Sequence, residues 1–232
     1  MRKQKICFIR HGVAKHNLRD PRTNQSPNLE DPSLFDPPLV YDGKQQALQA
    51  GERFKMWWKT TQLGEQIELI IASPLTRCIQ TSMIAFPPGD CYASNDGASK
   101  EPRRICTELV REAYGMHYPD KRRVKSILQK YWPGLELDPG MTEADEAWSP
   151  TSRESIADLQ GRISLFLDYV AKLPQTNIVV VSHGVFVEAL LHAHCPEALP
   201  NGRRVYNCDT IIGDCLSENG VYKGLQGMRL LT

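Results

Sequence analysis

Apolar residues recur along this chain in two alternating rhythms. Short β-branched runs at residues 6–9, 67–72, 104–109 and 178–182 read as strands, and residues 43–58, 75–86 and 184–195 carry the period of helices. The clearest helix is predicted over 155–173, where Ile156, Leu159, Ile163, Phe166, Leu167 and Val170 share one face and Ser155 with Asp158 forms a capping box. Such alternation predicts a three-layer α/β/α fold with a mostly parallel central sheet and helices on both faces. Two stretches break the rhythm. Residues 18–40, rich in Pro, Asp and Asn, read as a loop, and residues 91–150, basic and then acidic, read as a cap inserted over the sheet of a single domain spanning 1–232.

The apolar runs also place the chemistry. The first strand ends in Arg10-His11-Gly12 and the fourth in Ser182-His183-Gly184, so two strands deliver an imidazole to the same kind of place. In open α/β sheets that place, beyond the carboxyl ends of the strands, is where ligands bind. A glycine after each histidine allows the backbone to approach a ligand closely. A helix starting at Gly184 would aim free N–H groups at the same spot, which favours an anion. Arg77 follows a third strand near the start of a helix, and with Arg10 it could grip one phosphate through two planar forks.

Taken singly, a histidine at a strand end is more often structural than catalytic. The combination is more specific. Arg10-His11-Gly12 followed by His16-Asn17, then Ser73-Pro74-Leu75-Thr76-Arg77 with Thr81, then Leu109-Val110-Arg111-Glu112-Ala113-Tyr114-Gly115, then Ser182-His183-Gly184, come in an order that resembles the histidine phosphatase superfamily, including its phosphoglycerate mutase-like branch. The acid stretch carries one extra residue relative to the family pattern, and Val40 stands where the family usually has Thr. The stretch Gly115-x-His117-x-x-Asp120-Lys121-Arg122-Arg123 resembles one in plant and fungal members.

The resemblance implies that His11 is the nucleophile, that Arg10, Arg77 and His183 hold the phosphoryl group, that Asn17 adds a hydrogen bond, and that Glu112 donates a proton. Glu108 is the alternative acid. Gly184 would lend its helix N-terminus, and His117, Lys121 and Arg123 sit where a basic mouth is expected, or else on a solvated face. The acidic run 136–146 with Trp148 either folds back on those bases or faces water. Two arginines, a histidine and an amide can meet the charge of a phosphoryl transition state, so neither a metal nor a cofactor is expected.

Composition narrows the partners. With 28 basic and 27 acidic residues the net charge is +1, which leaves no global field for nucleic acid or an anionic membrane. Seven scattered cysteines without a CxxC pair read as reduced, buried thiols. With no apolar leader or spanning segment, a cytoplasmic address is expected, the nucleus also open. The expected partner is a phosphorylated small-molecule substrate. A homodimer, the commonest assembly, stays open. Three functions remain: a phosphatase that passes phosphate from His11 to water, a mutase that returns it to a substrate oxygen, and a phospho-ligand sensor with little turnover. The sensor needs neither nucleophile nor proton donor, so the presence of both argues against it.

Overall fold

In the computed structural model, residues 1–62, 65–89 and 101–231 are described. Among them, seven strands form one sheet in the order β4-β3-β2-β5-β1-β6-β7. They are β1 (Arg2–Arg10), β2 (Leu69–Ala72), β3 (Arg103–Cys106), β4 (Glu136–Leu137), β5 (Asn177–Ser182), β6 (Thr210–Glu218) and β7 (Val221–Leu230). The first five are mutually parallel, and β6 and β7 run antiparallel along one edge. The helices are α1 (Tyr41–Thr61), α2 (Thr76–Ala85), α3 (Lys125–Tyr131), α4 (Ile156–Lys172) and α5 (Gly184–His194). This is the mostly parallel α/β/α sheet that the alternating rhythm predicts. Among the described residues, no helix is long and apolar enough to cross a membrane.

The sheet is buried on both faces because its central strands alternate between two cores. Ile6 and Phe8 of β1 with Ile178 and Val180 of β5 face α4 and α5, where Phe166 lies between Phe8 and Phe186 at centroid distances of 6.3 and 5.8 Å. Cys7, Ile9, Val179 and Val181 face the other way, against Phe54 and Trp58 of α1 and Phe86. The parallel register pairs Ile9 with Val181 and Arg10 with Ser182, so the two strands end level and His11 and His183 leave the sheet side by side. α4 starts as its capping box requires, with the Ser155 hydroxyl accepting from the Asp158 amide at 3.1 Å.

Two findings depart from the sequence reading. The antiparallel hairpin β6–β7 was not expected, although its turn, Asn219-Gly220, has φ of 51° and 75°, the paired positive values that a two-residue hairpin turn needs. The stretch expected as a cap over the sheet also contributes β3 and β4 to the sheet itself, and residues 91–100 lie outside the described residues. In the segments after β3 and β4 the basic and acidic runs meet. Arg111 forks onto Asp145 at 2.8 and 2.7 Å, and Arg122 pairs with Glu108 and donates to the carbonyls of Thr142 and Ala144 at 2.7 and 2.8 Å. Trp148 is buried, with the Lys121 ammonium 4.4 Å above its ring. The acidic run thus folds back on the bases.

Candidate active site

The sharp turn after β1 is set by backbone contact. A Cβ on Gly12 would lie 2.3 Å from the Gly43 carbonyl oxygen, so only glycine lets the start of α1 close on this loop. Val40 precedes α1 without a side-chain cap, and its amide instead donates to the Val13 carbonyl at 3.1 Å. His11 is only 2% exposed. Its Nδ1 lies 2.7 Å from the Gly12 carbonyl and its Nε2 receives the Arg77 Nε–H at 3.2 Å. Since a guanidinium only donates, Nε2 must hold the lone pair and Nδ1 the proton. The ring is therefore in the tautomer that leaves Nε2 as the nucleophilic atom.

His183 stands beside it, with ring centroids 5.1 Å apart. Its Nδ1 accepts from Arg77 Nη2 at 3.1 Å, so its Nε2–H donates to the Ser73 hydroxyl at 2.8 Å. His16 is the third ring, 5.7 Å from His11, and its buried Nδ1 has no partner among the described residues. All three rings are held below the usual histidine range. Burial dominates for His11 and His183, followed by the Arg77 charge, and His16 is pushed down to about 2 by burial, Arg77 and Arg10. The cluster is thus neutral at physiological pH.

Arg77, buried at 1% exposure, is the hub. Besides both histidines it reaches the Pro119 carbonyl at 2.5 Å and Asp120 Oδ1 at 2.9 Å. Arg10 comes from the other side. One Nη donates to the Val205 carbonyl at 2.6 Å, its buried Nε has no partner among the described residues, and its guanidinium lies 3.3 Å from where a Cβ on residue 184 would stand. Gly184 thus clears space for Arg10 as well as opening α5. Glu112 lies half-buried at that helix start, its carboxylate oxygens accepting from the amides of Ala113 at 3.0 Å and Val185 at 3.3 Å. Burial, then the nearby Asp120 charge, raise its carboxyl above the usual range against those two hydrogen bonds. A raised acid close to two guanidinium groups is equipped for proton donation during phosphoryl transfer.

Other residues expected at the mouth have protein partners. The Asn17 amide oxygen accepts from the Ala14 amide at 3.0 Å, closing a turn, and Arg123 pairs with Asp36 at 3.0 Å and lies over Phe35. Lys121 covers Trp148, while His117 Nδ1 lies 3.7 Å from Asp120 Oδ2, beside the cluster. Glu108, the alternative acid, is taken up by Arg111 and Arg122. The sequence reading missed Ser73, Asp120 and Asn207, whose Nδ2 donates to the His11 carbonyl at 2.8 Å. Ser73 and Asp120 lie inside quoted motifs, but nothing in their spacing tells which way they turn.

A phosphoglycerate mutase-like protein of Arabidopsis thaliana is 28% identical over 203 residues, covering 80% of this chain and 73% of its own. Phosphomutase-like protein 3 of Candida albicans is 31% identical over 211 residues, covering 84% of this chain and 62% of its own. Among solved structures, a putative α-ribazole-5'-P phosphatase from Escherichia coli has a TM-score of 0.54 at 17% identity, covering 96% of this chain and 94% of its own. A mycobacterial glucosyl-3-phosphoglycerate phosphatase has a TM-score of 0.53 at 16% identity, covering 99% and 97%. At such identities the structures speak for the fold alone. The sequence profile of the histidine phosphatase superfamily (branch 1) matches residues 6–89 and 123–221, passing over Glu112 but including all three histidines and both arginines of the cluster, and the chain belongs to that superfamily.

Proposed function

We propose that this protein is a phosphomonoesterase that forms a phosphohistidine on His11 and uses Glu112 as its proton donor. The observation that carries the reading is the His11 ring, neutral, with Nδ1–H tied to the Gly12 carbonyl at 2.7 Å and its Nε2 lone pair directed at the Arg77 guanidinium, where a phosphoryl group would be held. In the first half-reaction Nε2 forms a bond to phosphorus as the ester P–O bond breaks, and the Glu112 carboxyl gives its proton to the leaving oxygen. The Arg77 Nε–H passes from Nε2 to a phosphoryl oxygen, and Arg10, with its unpartnered Nε, meets the charge from the other side. In the second half-reaction the Glu112 carboxylate takes a proton from water, whose oxygen attacks phosphorus. The P–N bond breaks and inorganic phosphate leaves.

The expected substrate is a phosphorylated small molecule, because the cluster reads only the terminal phosphate. Hydrolysis of an aryl phosphate without added metal is expected, with an acid-labile, base-stable phosphoprotein on rapid quenching, and both should vanish in His11→Ala. Turnover that survives this substitution would sink the reading. The names of the plant relatives favour a second reading, phosphoryl exchange between hydroxyls of a phosphoglycerate-like substrate. It differs only in keeping water from the intermediate. Fast interconversion of 3-phosphoglycerate with negligible phosphate release would replace the phosphatase by the mutase.

A further inference from the structure

Asp120 is a carboxylate in the wrong place for a protein that binds phosphate. It is 5% exposed, and its Oδ1 lies 2.9 Å from Arg77 Nη2, inside the cluster that should attract a dianion. Its placement is enforced from several sides. Arg111 donates to its backbone carbonyl at 2.7 Å, its amide donates to the His117 carbonyl at 3.1 Å, and the preceding carbonyl, of Pro119, accepts from Arg77 Nη1. Oδ2 faces outward to Arg153 Nη1 at 3.3 Å and His117 Nδ1 at 3.7 Å. The Arg77 fork is therefore fixed on its outer side by residues 119 and 120, and its Nε edge is left to His11. A buried negative charge beside an anion site costs binding, so the fold keeps it for something other than affinity.

Building on the phosphatase reading, we propose that Asp120 is a positioning residue of the reaction: it fixes the Arg77 guanidinium against His11 and offsets enough of its charge for the phosphate product to leave. The charge balance of the site supports this. Arg10 and Arg77 bring two positive charges to a phosphate whose reacted and unreacted forms both carry about two negative ones, and without an internal carboxylate such a site would hold the product as well as it holds the transition state. Asp120 lowers ground-state attraction, while its grip on Arg77 fixes the geometry that matters when charge develops. Its charge also bears on Glu112, which is faced by Arg77, Arg10, Arg204, Cys78 and Asp120; among these Asp120 supports the protonated acid.

The test is Asp120→Asn, isosteric and without the charge. Inorganic phosphate, titrated by calorimetry, should bind about tenfold more tightly, while kcat and KM for an alkyl phosphate both fall and the alkaline limb of its kcat/KM profile moves to lower pH. A merely structural aspartate would give the opposite pattern, with weaker phosphate binding, a higher KM and an unmoved limb, and that result would overturn the proposal. Asp120→Glu, which restores the charge, should return phosphate affinity toward the parent. Arg153→Gln leaves Asp120 in place but removes its outer cation, so phosphate should bind more weakly and the limb should move up. Should Asp120→Asn fail to fold, this opposite-signed response decides alone: tighter phosphate binding in Arg153→Gln would overturn the proposal. Failure of the phosphatase reading looks different. The parent itself would then not hydrolyse the ester, whether or not it binds phosphate.

Discussion

A carboxylic acid that must protonate a departing alkoxide has to hold its proton near neutral pH, and the surroundings of Glu112 meet that demand by burial and by the Asp120 charge. How much the proton matters depends on the leaving group. Glu112→Gln should lower kcat/KM, which reports only the transfer to His11, by about 10²- to 10⁴-fold on an alkyl phosphate, whose alkoxide cannot leave unprotonated. On a nitrophenyl phosphate, whose phenolate leaves unaided, the loss in kcat/KM should be under about tenfold. Equal losses on both esters would remove the acid role. Burial of Glu112 also means that the alkaline limb of kcat/KM should lie above the usual carboxylate range, while His11, held neutral, sets no limb near neutrality. At this scale the sequence carried a good deal. The motifs named His11, His183, Arg10, Arg77 and Glu112, and all five converge. They could not show that Asn17 turns onto Ala14, that Arg123 pairs with Asp36, or that Asp120 faces inward from a basic run, because spacing along an irregular segment does not fix side-chain direction.

Most elements with a buried face were legible, although β6, largely buried, was not read. The strands at the centre of the sheet and helices α1, α2, α4 and α5 follow from period alone, with ends displaced by a few residues. β7 did not, because Gly224 and Gly227 and a largely exposed pattern erase its alternation, although the Asn219-Gly220 turn announces the hairpin. The irregular region over the site was illegible for a different reason: it is organised by ion pairs between distant residues. Arg111 at 0% and Asp145 at 1% side-chain exposure form a buried pair that joins the segment bearing Glu112 to the acidic run, and Arg122 ties the same run to Glu108. Removing one partner of such a pair leaves a buried charge, so Asp145→Ala should destabilise by about 3 kcal/mol in urea unfolding. The loss should be local as well as global. Amide exchange should quicken across residues 111–146 before it does in β1 and β5, whose interior-facing side chains are fully buried. A change below about 1 kcal/mol would mean that the pair is dispensable, as exposed ion pairs are.

For the molecule as a whole, the neutral histidine cluster that serves the reaction has a thermodynamic consequence. His11, His16 and His183 resist protonation when folded, each starting from an ordinary value of 6.5, so the unfolded chain takes up three protons that the native state refuses. Their contribution to stability is therefore complete above about pH 7 and is lost as pH falls through 6.5, at about 1.4 kcal/mol per pH unit for each ring once well below it. Two carboxyls act in the opposite sense. Asp36, raised to about 6 chiefly by burial, and Glu112, also raised, hold protons in the folded state that the unfolded chain releases; the stability they add at low pH is lost as pH rises through their folded values. Between pH 7.5 and 5.5 the three rings, joined by His117 and His194, whose burial also lowers them, outweigh the two carboxyls, and stability should fall. Urea midpoints in phosphate-free buffer would measure it, since bound anion would mask the effect by mass action. His16→Gln supplies the internal check, because it removes one refused proton and should recover about 1.3 kcal/mol of that loss. A pH dependence unchanged by the substitution would show that His16 is protonated in the folded protein, and a cation beside the nucleophile would then have to be written into the chemistry of the site.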